Sequence, residues 1–197
     1  MTETTVNTVL VTAERTGARL PAAGTFIIDP GHSYVGFVAR HLMVANVRGQ
    51  FTDFAGSVTI AEDPAQSSAH AIIQTASITT HNEQRDTHLR SADFFDTDRN
   101  PTMRFQSTGM TGSAQAGFRV LGELSIKECT RPVPVDFEVG GVATDPWGQQ
   151  RIALTATTEI VRDDFGITFN APLEGGGFFI GRTVKIEIDI EAIRQPS

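Results

Sequence analysis

With 197 residues and 23 acidic against 16 basic side chains, the chain carries a formal net charge of -7. That length fits one domain able to bury a core or line a cavity, and the acidic balance argues against a nucleic-acid partner, which needs a basic surface. The single cysteine, Cys129, excludes an intramolecular disulfide, and no uncharged run approaches the roughly 20 apolar residues of a transmembrane helix.

Residues 1–23 are polar and Thr-rich, and Val9-Leu10-Val11 is their only apolar run. They read as a tail ending at the break Pro21-Ala22-Ala23-Gly24, with the folded domain expected over 24–197. They lack the charged, apolar and cleavage regions of a secretory signal, so the expected location is cytoplasmic.

From Thr25 onward the period is two. Val35, Phe37 and Ala39 alternate with Gly36 and Val38, and Phe118, Val120, Leu124 and Ile126 with Arg119, Leu121, Ser125 and Lys127. Val133, Val135, Phe137 and Val139 follow, then Ile152, Leu154 and Ala156, and last Val184, Ile186, Ile188 and Ile190 against Lys185, Glu187 and Asp189. Such alternation marks antiparallel strands with one wet and one dry face. Roughly eight long strands suit a small closed barrel, which leaves no exposed edges. Turn residues punctuate them at Asp29-Pro30-Gly31, Asp63-Pro64, Gly112-Ser113, Gly140-Gly141, Asp145-Pro146 and Gly175-Gly176-Gly177.

Two segments break the pattern. Residues 41–46 suit a single helical turn. Residues 77–96 form a polar insert in which Thr80 and Glu83 make a capping-box pair. A helix starting there carries His81, Arg85 and His88 on one face and spaces Asp86 and Arg90 for an ion pair.

The side chains that suggest chemistry each have a plainer reading. His81 and His88 fall short of the three protein ligands of a catalytic zinc, and Arg85 between them repels a cation, so no metal is expected. Arg40-His41 suits either a ligand head group or an ion pair with an acid of the insert. Gly31-His32-Ser33 has Val35 where a nucleophile elbow needs glycine. Cys129 has only Arg131 nearby as a basic neighbour and reads as structural. The apolar alternants either line a cavity or fill a solid core; periodicity does not distinguish these.

Taken in order, Asp29-Pro30-Gly31-His32-Ser33, Arg40-His41-Leu42, Val47-Arg48-Gly49-Gln50-Phe51, Arg85-Asp86-Thr87-His88-Leu89, Asp93-Phe94-Phe95-Asp96, Thr130-Arg131-Pro132-Val133 and Asp164-Phe165-Gly166 resemble the YceI-like family of lipocalin-like proteins. The likeness runs from Thr25 to about Arg194. It implies an all-β fold, an extended eight-stranded antiparallel barrel with one or two short helices and an apolar lumen. It also implies binding of long isoprenoid or fatty amide-like lipids, and a homodimer. Many relatives are periplasmic, and this sequence departs from them in showing no signal peptide.

The expected function is therefore non-enzymatic binding, storage or transport of a long-chain isoprenoid or similar lipid, with no cofactor. Val35, Phe37, Phe94, Phe105, Phe137, Leu154, Ile186 and Ile188 are expected along its tail, and Arg40, His41, Arg85 and His88 at the rim. The insert then reads as a plug whose Phe94-Phe95 pair turns inward. The alternative is an enzyme acting on a lipophilic substrate with His81 or His88 as general base.

Overall fold

The period-two segments form the wall of a closed antiparallel barrel. The computed structural model describes residues 21–113, 117–172 and 179–196. Its strands are β1 (Gly24–Ile28), β2 (Tyr34–His41), β3 (Ala45–Phe51), β4 (Phe54–Ile60), β5 (Ser68–Gln74), β6 (Ile78–Thr79), β7 (Thr102–Ser113), β8 (Gly117–Ile126), β9 (Cys129–Thr144), β10 (Gln150–Val161) and β11 (Ile180–Arg194). One helix, α1 (Glu83–Arg90), interrupts them. The order around the sheet is β1-β4-β5-β7-β8-β9-β10-β11-β2-β3-β6, and β1 also pairs with β11 to close the ring.

These short strands combine into eight wall elements, because three long ones break midway. β1 and β2 lie end to end along β11, at Phe26 against Arg194 and Val35 against Ile188. β3 pairs with β2 while β4 pairs with β1. β6 pairs with β3 while β5 pairs with β4. Asp29-Pro30-Gly31 is accordingly no reversal: it makes a 3-10 turn in which the Gly31 amide donates to Asp29 Oδ1 at 3.1 Å, and the chain continues onward.

Other local expectations also change. Residues 41–46 are a β-hairpin, with Leu42 and Met43 at φ 51° and 61°, instead of a helical turn. Gly140-Gly141 lies inside β9, where the register against β10 shifts between Ala153 and Leu154. An extra residue there is absorbed as a bulge, which bends the strand without ending it. Gly112-Ser113, expected as a turn, is the end of β7, paired with Phe118 and Gly117, and Gly175-Gly176-Gly177 lies outside the described residues.

Phe26, Ile152 and Ala192 form a small fully buried cluster where β1, β10 and β11 meet. Each large side chain so buried stabilises the wall by about 2–3 kcal/mol. A second cluster, including Phe51, Phe54, Ile78, Phe94 and Phe165, sits under the insert. Two glycines let aromatic rings lie flat on the wall. A Cβ on Gly49 would meet Phe37 Cζ at 2.4 Å, and one on Gly122 would meet Phe105 Cζ at 2.3 Å.

Candidate functional site

Inward side chains of the barrel do not close on one another. They surround a cavity of about 1030 Å³, lined mostly by Val, Ile, Leu, Met and Phe. That is the upper range of small-molecule sites. All of Val35, Phe37, Arg40, His41, Arg85, His88, Phe94, Phe105, Phe137, Leu154, Ile186 and Ile188 are on its wall. His81 is not on the wall as described. The cavity also touches residues that sequence reasoning did not select, notably Arg162, Phe169 and Phe179.

The insert caps one end. Its helix starts at Glu83, with Asn82 as N-cap accepting from the Arg85 amide at 2.9 Å, so the expected Thr80–Glu83 capping box does not form. His81 precedes the helix with φ 58° and does not share a helical face with Arg85 and His88. Thr80 and Thr79 instead hold Asp86, whose carboxylate accepts from the Thr80 amide at 2.8 Å, from Thr79 Oγ1 at 3.0 Å and from Thr80 Oγ1. Burial alone would raise the Asp86 carboxyl, but the Thr80 and Thr79 hydrogen bonds outweigh it and hold it below the usual range. Arg90 does not pair directly with Asp86. Its guanidinium donates to the carbonyls of Ala76 and Ile78, both at 2.8 Å, and ties α1 to the strand before it.

Arg85 donates from Nε to Thr80 Oγ1 at 2.7 Å and from Nη2 to the Thr80 carbonyl at 3.1 Å. His88 Nε2 lies 2.9 Å from Asp93 Oδ2, and its ring meets Phe94 and Phe169 edge-on at 5.0 and 4.8 Å. Phe94 is buried and Phe95 packs on Phe51 at 5.7 Å, so the Phe pair does turn inward. The His41 ring packs on Phe179 at 4.6 Å. Neither Arg40 nor His41 has an ion pair among the described residues, so the ion-pair reading of that dipeptide is not met there.

Arg162, just past β10, is 5 % exposed. Its Nε donates to the Gly181 carbonyl at 3.1 Å, and its Nη1 to those of Ile167 and Phe169 at 2.7 and 2.9 Å. Burial pushes its guanidinium pKa down, and the field of Asp163 offsets only part of this. The sequence signal for Arg162 was slight: a basic residue beside Asp163-Asp164, where a surface pair is the natural reading.

Only one group of side chains among the described residues has metal-ligand spacing: Asp29, His32 and Glu191, within 4.8 Å of one another. Arg151 occupies this position, donating to Asp29 at 2.9 Å, to Asp145 at 3.0 Å and to Glu191. Its hydrogen bond, with a second from His32, holds the Asp29 carboxyl below the usual range. The guanidinium already supplies the cation that these carboxylates need.

A family model described as the YceI-like domain matches residues 26–192. A UPF0312 protein of Staphylococcus aureus is 38% identical over 168 residues, which is 84% of this chain and 95% of that relative. Among solved structures, BcnA of Burkholderia cenocepacia superposes with a TM-score of 0.73 at 21% identity, over 84% of this chain and 99% of its own. The YCEI protein of Campylobacter jejuni gives 0.66 at 26% identity, over 80% and 90%. A domain of Saccharophagus degradans described as polyisoprenoid-binding gives 0.65 at 14% identity, over 88% and 99%.

Proposed function

We propose, from the premise that this chain belongs to the YceI-like family, that it binds a long-chain isoprenoid or similar lipid in its lumen, as a carrier or store and not as an enzyme. The observation that carries this reading is the apolar cavity of about 1030 Å³ running between the strands. Covering roughly 300 Å² of apolar wall at ~25 cal/mol per Å² yields about 8 kcal/mol, a micromolar-scale gross attraction before ordering costs. The description of the Saccharophagus domain as polyisoprenoid-binding supports the same ligand class. In this reading Phe37, Phe105, Phe137, Leu154, Ile186 and Ile188 meet the tail, and Arg40, His41, Arg85 and His88 stand near its polar end. The family resemblance adds a homodimer, and 24–197 as the folded unit, to the proposal.

Native mass spectrometry of protein purified from its own host, followed by organic extraction, tests this. A long-chain adduct is the expected result. Protein that carries no adduct and takes up no long-chain probe after delipidation would sink the reading.

A further inference from the structure

We propose that one end of the cavity selects an anionic head group, so that the occupant is a long-chain carboxylic acid or phosphate monoester in preference to a neutral lipid. This rests on the lumen binding a lipid at all, and adds which chemistry terminates it.

Charge is segregated on the cavity wall. The chain as a whole carries -7. Yet among the described residues the wall holds Arg40, His41, His70, Arg85, His88 and Arg162 against a single acid, Glu62. Glu62 belongs to the connection between β4 and β5, at the barrel end away from α1. Apart from His70, which bonds Ser57 on β4, the basic residues gather at the other end, around the connection from β10 to β11. Phe169 joins His88 to Arg162, through its ring to the first and its carbonyl to the second. Phe179 packs on His41. Gly181 passes its carbonyl to Arg162 and lies so close to Arg40 that an added Cβ would meet Arg40 Cβ at 3.0 Å.

Arg162 is the centre of the inference. A guanidinium stays protonated in proteins, so a full positive charge sits in a wall that is otherwise largely apolar. Buried charges are costly unless paired. Three carbonyl dipoles solvate this one without neutralising it. The adjacent Asp163 accepts from Arg182 at 2.8 Å, and no carboxylate forms an ion pair with Arg162 among the described residues. Its Nη2 has no partner there either. The N–H bonds left on Nη2 diverge from one nitrogen and offer an oxyanion a charge-assisted hydrogen bond together with a countercharge; an amide or alcohol brings the hydrogen bond but no countercharge.

The test uses the delipidated full chain and three probes with the same C18 chain: oleate, oleyl phosphate and oleyl alcohol, titrated by calorimetry below their aggregation limits. Oleate or oleyl phosphate is expected to bind about tenfold or more tightly than the alcohol, as charge-assisted hydrogen bonds exceed neutral ones. The difference between the two acids tells which head fits better. Arg162→Gln is expected to bring the acid-over-alcohol ratio toward one. If that variant does not fold, the double variant Arg40→Gln/Arg85→Gln is expected to narrow the same ratio, and added salt to weaken the acids alone. Equal affinity of all three probes overturns the anionic preference and leaves lipid binding standing. If none of the three binds, the lipid-binding reading itself falls.

Discussion

Two arginines lie at the two ends of β10 and are handled in opposite ways. Arg151, near its start, meets three carboxylates, from Asp29, Asp145 and Glu191. Arg162, just beyond its end and about 36 Å along the strand at ~3.3 Å per residue, meets three carbonyls and no carboxylate among the described residues. The first is a stitch: it joins β1, the turn after β9, β10 and β11 where the barrel closes on itself. The second fixes the backbone of a connection while its charge, only partly offset by the field of Asp163, has no ion-pair partner among the described residues. Local charge balance thus separates an arginine that holds the fold from one that also has capacity for something else.

The sharpest way to break this comparison is to remove each side chain. Arg162→Leu takes the donor from two buried carbonyls and one partly buried one, and a loss of about 3–5 kcal/mol is expected in denaturant unfolding. Arg151→Leu strands carboxylates that water still reaches in part, so a smaller fall in the unfolding midpoint is expected. A larger fall for Arg151 would reverse the roles assigned here.

Asp86 tests whether the α1 end has a stitch of its own. Asp86→Asn removes the charged acceptor of the Thr79 and Thr80 bonds, and about 2 kcal/mol is the expected cost by equilibrium unfolding.

Acid separates the two ends more finely. Asp29 is held below its usual 3.8, chiefly by Arg151. A group whose folded pKa is depressed gives its full stabilisation above the unfolded value and loses it as pH falls through the folded one. The Arg151 stitch should therefore weaken below about pH 3.8, and the carbonyl partners of Arg162, which do not titrate in this range, should not. Hydrogen exchange in acid is expected to rise first around β1 and the start of β10. Uniform loosening along β10 would contradict it. The smallest effect is expected at Arg119–Asp136, an exposed pair. Arg119→Gln should leave the unfolding midpoint unmoved, since such pairs contribute little.

The barrel was legible because alternation is strict in the stretches that became β8, β10, β11 and β9 as far as Val139: Val184, Ile186, Ile188 and Ile190 could only line one face. The same alternation selected the wall of the cavity, though it carries no information on whether facing side chains meet, and so none on the cavity's existence. The misread places share a cause. Pro and Gly mark a change of backbone direction without saying how large it is. Asp29-Pro30-Gly31 is a kink and Gly140-Gly141 a bulge, and both looked like reversals. At the insert, Thr80 and Glu83 had the right spacing for a cap, but Thr80 is engaged by Asp86 and Asn82 is the N-cap instead. Arg162 was missed because its partners are backbone carbonyls, which every residue carries.

The three interrupted strands have a mechanical meaning. Their breaks lie beside one another, and isolated backbone bonds bridge them: Asp29 amide to the Glu191 carbonyl at 2.8 Å, Thr52 amide to the Ser77 carbonyl at 3.3 Å, and Gln74 amide to the Asp53 carbonyl at 2.9 Å, with the hydroxyls of Ser33, Thr52 and Ser77 adding side-chain bonds. β7 to β11, by contrast, each run for ten residues or more. The wall is therefore interrupted along one side and continuous along the other. If the lumen carries a lipid as proposed, these seams are the places where its bore adjusts to the guest while every strand keeps its neighbours.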